Sequence, residues 1–216
     1  MTMEGVEGSG KSTQLERLAR RLRHAGRKLV VTREPGGTAM GRRLRALLLE
    51  PVDTPMEPMV ELLLYAADRA QHIREVIVPA LNDGAIVLCD RYLDATLAYQ
   101  GYGRDLGTER ILEMHAHPPL DLRPDRTILL DLEPEEALAR AKARDLERGV
   151  NASEGRFEEE DLDFHHRVRE GYLALARAAL DRFRVIEATG DRERVEVRVH
   201  AALADLVPSL CERDPA

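Results

Sequence analysis

Short apolar runs alternate along the chain with longer stretches of helical period, the pattern of an α/β fold in which helices cover both faces of a parallel sheet. The runs predict five strands, at Met1 to Glu4, Lys28 to Thr32, Ala85 to Cys89, Arg126 to Leu132 and Phe183 to Glu187. Between the first two, Leu15, Leu18, Ala19 and Leu22 recur on one face of a helix over Ser12 to His24, with Gly26 placed to stop it. A longer, mostly apolar helix is expected over Met59 to Leu81, bent at Pro79. Phe164, Val168, Tyr172 and Ala176 form an i+4 stripe on another long helix. The acidic cluster Glu158 to Asp161 suits its N-terminus, where unpaired N–H groups carry partial positive charge. No repeat or low-complexity linker divides residues 1–216, which read as a single domain. Asp145 to Gly155 and the tail at 208–216 are expected to be the least ordered stretches, the tail disordered.

Composition narrows the function classes. The 216 residues, 44% of them hydrophobic, suffice for one full core. A net charge of -7 argues against a nucleic acid polymer or an anionic membrane as partner, since either needs a concentrated basic face. Only three of the 32 basic residues are lysine, which reads as genomic or thermal bias. Cys89 and Cys211 offer neither a disulfide framework nor a metal spacing, so a reducing, cytoplasmic location is expected. No apolar run approaches the roughly 20 residues of a membrane span, and Met1 to Gly5 carries no export signal. His165 and His166 are adjacent on a helix and point apart, and His115 and His117 lack a third ligand, so all four are expected at the surface.

The chemistry begins at Gly5-Val6-Glu7-Gly8-Ser9-Gly10-Lys11-Ser12, which satisfies G-x-x-x-x-G-K-[ST]. It follows a short strand and opens a helix, so its backbone N–H groups, through Thr13, can converge on phosphate oxygens. Lys11 would span the outer phosphates of a nucleoside triphosphate such as ATP, and the Ser12 hydroxyl would join a Mg²⁺ shell. The apolar strand Ala85 to Cys89 ends in Asp90, placed to hold the same ion through water. Arg91 follows, where an ATPase motor would favour a glutamate to activate water; an arginine there suits a second phosphate-bearing substrate.

Three further segments point to an acceptor pocket: Thr32-Arg33-Glu34-Pro35-Gly36-Gly37-Thr38, the helical pair Tyr65 and Arg69 at i and i+4, and Asp94 to Gly101, which includes Thr96, Tyr99 and Gln100. Together with the P-loop, these residues resemble the thymidylate kinase family in its bacterial form, from about Met3 to about Leu206. The family markers stand here as Glu4 to Ser12, Arg33-Glu34-Pro35-Gly36-Gly37, Ala67-Asp68-Arg69, Asp90-Arg91-Tyr92 and Ala98-Tyr99-Gln100-Gly101.

The resemblance implies a P-loop kinase fold, a single nucleoside monophosphate kinase domain, transfer of the γ-phosphoryl of MgATP to dTMP, and a homodimer. It further implies that Glu7 accepts from the acceptor's 3′-hydroxyl and that Arg33, Arg45 and Arg91 surround the monophosphate. Tyr65 would stack on thymine, Arg69 would donate to its O4, Thr96 would meet the base edge, Tyr99 would crowd the 2′ position, and Gln100 would complete the pocket. The Glu34-Pro35 bond would be cis. Family members carry the catalytic arginine either in the P-loop or in a lid. The P-loop has no base except Lys11, while the lid, about 144–157, offers Arg144, Arg148 and Arg156; Arg156 aligns best, with Arg144 and Arg148 as ATP contacts. A kinase for another nucleoside monophosphate or a deoxynucleoside would differ only in the base and phosphate pocket. A guanine-reading switch would need an N-K-x-D motif, which the sequence lacks.

Overall fold

The structure, a computed structural model, describes residues 1–50, 55–148 and 155–206, without the side chains of 145, 147 and 148. Its strands β1 (Thr2–Glu4), β2 (Leu29–Arg33), β3 (Ile86–Asp90), β4 (Thr127–Asp131) and β5 (Phe183–Glu187) form one parallel sheet in the order β2-β3-β1-β4-β5. Each strand lies within a residue or so of its expected position. The shift has one cause at β2 and β3: the polar residues Arg33 and Asp90 end the apolar runs, yet their backbones still pair with each other across the sheet. Backbone pairing is indifferent to side-chain polarity, so the ladder runs one residue further than the hydrophobic pattern.

Alternation along β3 distributes the core to both faces, as a sheet covered on two sides requires. Leu88 joins Leu15, Leu18 and Leu22 of α1 (Lys11–His24) and Val168 and Tyr172 of the later helix α9 (Leu162–Ala178). Val87 and Cys89 face the opposite way, toward Leu62, Ile73 and Ile77. The chain crosses from one side of β1 to the other, so the crevice beyond the C-terminal strand ends lies at a switch point, where ligands of open α/β sheets bind.

The remaining helices are α2 (Ala39–Leu49), α3 (Pro58–His72), α4 (Val78–Asn82), α5 (Leu93–Thr96), α6 (Thr108–Met114), α7 (Pro134–Arg148), α8 (Gly155–Glu158), α9 (Leu162–Ala178) and α10 (Arg192–Ala201). The long helix expected over Met59 to Leu81 runs on through Pro79, but its middle, Ile73–Ile77, widens to a π-helix. The Val78 N–H donates to the Ile73 carbonyl five residues back, which accommodates the register lost at a proline that has no N–H. A second π-helix, Leu97–Gly103, continues α5 and packs along α9. Glycine is needed on both sides of that contact: a Cβ at Gly103 would stand 2.7 Å from the Phe164 ring, and one at Gly171 would stand 2.7 Å from the Tyr102 ring.

Asp161 caps α9 through its Oδ1, which accepts from the Phe164 N–H at 2.6 Å, as the acidic cluster suggested. Two histidines correct the expectation of a surface location: His115 and His165 are buried, while His117 is exposed and His166 half-buried. Adjacent helical residues point about 100° apart, and His165 falls on the buried side with Phe164 and Val168. No group of three or more His, Cys, Asp or Glu side chains that could hold a metal ion occurs among the described residues. No helix among them is long and apolar enough to cross a membrane. The tail at 208–216 and the lid residues 149–154 lie outside the described residues.

Candidate active site

The strand ends and the loops after β1, β2 and β3 surround a cleft that is open to solvent, with about 840 Å³ of free space in it and at its mouth. It is lined by Glu7, Gly8, Lys11 and Ser12 from the P-loop, by Arg33 and Arg45, by Tyr65 and Arg69 from α3, by Asp90 and Arg91, by Thr96, Tyr99 and Gln100, and by Arg144 from α7. The structure thus gathers most of the candidate side chains in one place. Gly5, Val6, Ser9, Gly10 and Thr13 shape the loop without lining the cleft, Arg156 stands outside the lining, and the Arg148 side chain lies outside the described residues.

The P-loop needs its glycines for two reasons. Gly5, Gly8 and Gly10 have φ of 143°, 75° and 90°, where L side chains are strained, and a Cβ on Gly8 would run into the Ala137 carbonyl at the start of α7. Gly10 precedes α1 without a side-chain cap, leaving the first N–H groups of α1 for an anion. Lys11 Nζ donates to the Val6 carbonyl at 2.8 Å. Burial first, and then the Arg91 charge, lowers its ammonium to about 8 against the pull of Asp90, Glu7 and Glu4. Ser12 Oγ donates to Asp90 Oδ2 at 3.2 Å, while Asp90 Oδ1 is buried without a protein partner.

Arg91 has φ 65°, an uncommon conformation for a non-glycine residue that places its guanidinium among hydroxyls and carboxylates. It donates to Glu7 Oε1 at 2.5 Å, Tyr99 Oη at 3.1 Å and Tyr172 Oη at 3.2 Å. Tyr99 Oη in turn donates to Glu7 Oε2 at 2.6 Å. Burial pushes the Glu7 carboxyl up, but Arg91, Lys11 and the Tyr99 hydrogen bond outweigh it and hold it below the ordinary range. Beneath them, Glu4 accepts from the Tyr92 N–H and the Tyr172 hydroxyl, and burial with nearby Asp94 pushes it up to about 8.

The end of the cleft around Arg69 is built differently. Arg69, 1% exposed, donates from Nε to Glu34 Oε2 at 2.8 Å and from Nη2 to Thr96 Oγ1 at 3.0 Å. Its Nη1 meets His115 Nε2 at 2.9 Å, and Glu34 Oε1 meets His72 Nδ1 at 2.8 Å. The Glu34-Pro35 bond is cis; Arg45 Nη1 donates to the Pro35 carbonyl at 3.0 Å, and Asp68 accepts from the Gly36 N–H. Tyr65 stands one helical turn before Arg69, and burial and Glu61 push its phenol upward, so it stays neutral.

In the segment expected to form the lid, Arg144 Nη2 donates to Glu158 Oε1 at 3.1 Å, and both residues line the cleft. Arg156 instead donates to Glu61, a fully buried carboxylate that also accepts from Gln100 Nε2 at 2.7 Å. Sequence reading missed the roles of Glu34, Glu61, His72, His115 and Tyr172. Only Tyr172 had a local signal, a hydroxyl on an otherwise apolar stripe; the others depend on contacts spanning 35 or more positions.

Comparison with known proteins fits this geometry. The family model described as thymidylate kinase matches residues 3–199. The chain is 52% identical over 211 residues to a thymidylate kinase of Nitratidesulfovibrio vulgaris (strain DP4), covering 95% of this chain and 94% of the relative. It is 50% identical over 208 residues to a thymidylate kinase of Geobacter sulfurreducens, covering 96% and 97%. The crystal structure of thymidylate kinase from Ehrlichia chaffeensis superposes with a TM-score of 0.74 at 32% identity, covering 94% of this chain and 96% of that one.

Proposed function

The chain belongs to the thymidylate kinase family and phosphorylates dTMP to dTDP with ATP, a step of dTTP synthesis, and we propose that it does so by in-line transfer within the cleft just described. The observation that carries this reading is the juxtaposition in one cavity of a P-loop lysine, the Glu7–Arg91–Tyr99 cluster and the Arg69–Thr96 pair. ATP enters at the P-loop, with its phosphates on Lys11 and the first N–H groups of α1. Arg33, Arg45 and Arg91 hold the acceptor phosphate, and Glu7 takes the 3′-hydroxyl. Tyr65 stacks on the base, Arg69 and Thr96 read its edge, Gln100 completes the pocket, and Tyr99 leaves no room for a 2′-hydroxyl. The acceptor oxygen is already ionised, so no strong base is required and positioning with charge neutralisation supplies most of the rate.

Ser12 and Asp90 fit Mg²⁺: a hydroxyl and a carboxylate are hard oxygen donors, and the buried Asp90 Oδ1 has no protein partner. Bound there, the ion would offset phosphate charge. Arg156 supplies the lid cation by exchanging Glu61 for phosphate, beside Arg144 and Arg148. Residues 1–216 act as one cytoplasmic domain. Exposed Met40 and Leu47 on α2 and Val60 and Leu63 on α3 support pairing of two copies through these helices.

A coupled ADP-release assay with dTMP, dUMP, CMP and GMP as acceptors tests the assignment. The expected result is a clear preference for dTMP and loss of turnover on chelation by EDTA. An acceptor that matches dTMP would overturn the substrate assignment, and full activity in EDTA would overturn the Mg²⁺ assignment.

A further inference from the structure

His115, fully buried, stands outside the cleft lining yet touches the residue read here as the reader of the base. Its Nδ1 lies 2.7 Å from the Ile111 carbonyl and its Nε2 lies 2.9 Å from Arg69 Nη1. A carbonyl only accepts and a guanidinium only donates, so Nδ1 carries the proton and Nε2 is the acceptor. Burial, followed by the Arg69 charge, lowers the imidazole to about 4, so the ring stays neutral and keeps that acceptor at physiological pH.

Arg69 is thereby held at three corners: Glu34 takes Nε, Thr96 takes Nη2 and His115 takes Nη1. Three contacts in three directions fix both the position and the plane of a rigid fork. The two N–H bonds left over, one on each terminal nitrogen, are what the guanidinium offers to a ligand. A base carrying a carbonyl at that edge accepts them, whereas one carrying an amino group opposes donor to donor. Glu34 and Thr96 themselves line the cleft, so His115 is the one of the three that acts on Arg69 without adjoining the ligand. With this acceptor removed, the buried Nη1 must turn to find another partner, and the plane turns with it.

We propose that His115 is a positioning residue that fixes the plane of the Arg69 guanidinium and so sets the preference for a pyrimidine with a carbonyl over one with an amino group at the edge facing Arg69. This role rests on the reading of Arg69 as the residue that donates to the base. A site built around such hydrogen bonds rejects a mismatched partner far more strongly than an apolar pocket does.

Steady-state kinetics with dTMP and dCMP test it on His115→Leu, which removes the acceptor, and His115→Gln, which keeps one. His115→Leu is expected to raise the KM for dTMP about tenfold, with kcat at saturation changed less than about twofold, and to lower the dTMP-to-dCMP ratio of kcat/KM about tenfold. His115→Gln is expected to recover most of that ratio. A folded His115→Leu enzyme with an unchanged ratio would overturn the proposal, as would a loss in His115→Leu that His115→Gln does not recover. If His115→Leu does not fold, ¹⁵N-histidine NMR of the unaltered enzyme decides. A proton on Nδ1 and an Nε2 resonance that moves with dTMP support the proposal; a proton on Nε2, or an unresponsive resonance, overturns it. Arg69→Gln separates the two levels. If it leaves the ratio intact, the reading of Arg69 itself fails. If it collapses the ratio while His115→Leu does not, only the role of His115 fails.

Discussion

The two ends of the cleft are prepared to different degrees. At the end proposed to hold the base, Arg69 is paired at three of its nitrogens, Glu34 is divided between Arg69 and His72, and His115 is neutral. At the phosphate end, the charged groups are satisfied by one another and by the loop: Lys11 on the Val6 carbonyl, Arg91 on Glu7, Arg144 on Glu158, Arg156 on Glu61. On the proposed reading, recognition of the acceptor base is built into the fold, whereas the arrangement that transfers phosphate requires partner exchange. The difference has a physical basis. A pocket that discriminates must be rigid and fully paired before ligand arrives. Cations that stabilise a transition state must be free to meet charge that develops only during reaction.

Substitutions at the two ends should separate into losses of turnover and losses of structure. Lys11→Ala should lower turnover by about 10³-fold or more while shifting the melting temperature by less than about 3 °C, since Lys11 makes one hydrogen bond to a carbonyl. A variant that unfolded instead would place the P-loop lysine among the structural groups. Arg156→Ala should cost about 10²- to 10⁴-fold in kcat without unfolding. Normal turnover there would move the lid role to Arg144, which already lines the cleft.

The base end should respond in stability. Glu34→Gln removes the charge that Arg69 and His72 share inside the core, and an uncompensated buried cation costs about 3–5 kcal/mol, or about 10 °C in melting temperature. A change below about 2 °C would mean that the network is not structural.

The smallest effect is a pH dependence. Lys11 titrates at about 8 in the free enzyme, and bound phosphate favours the ammonium. Below that pH the lysine is charged both free and bound, so the KM for ATP should be flat. Above it the free enzyme must take up a proton to bind, and KM should climb toward about tenfold per pH unit. A KM that stays flat from pH 7 to 9.5 would remove the assignment of Lys11 to the phosphates.

Much of the fold was legible because its signals are local. Five apolar runs predicted the five strands, and G-x-x-x-x-G-K-S located a loop that lines the cleft without any tertiary contact. The strand bounds differed by a residue at β1 and at both ends of β4, and at β2 and β3 the ladder extends to Arg33 and Asp90, polar side chains on paired backbone. His115 and His165 departed from expectation for the opposite reason, since a residue's burial depends on what packs against it. Adjacent positions say only that His165 and His166 diverge, and not which of them meets the core.

By itself the sequence determined the α/β layering, the P-loop and, through its motifs, the identity of the residues that meet in the cleft. Periodicity and glycine spacing are properties of neighbours along the chain, and they survive in one dimension. Only the tertiary structure decided how those residues are paired: that Glu34 of the β2 loop, Arg69 of α3, Thr96 of α5 and His115 beyond α6 form one buried network, and that Arg156 rests on Glu61. Hydrogen bonds act over about 3 Å, and which groups come that close is settled by strand order and helix packing, which no short stretch of sequence contains.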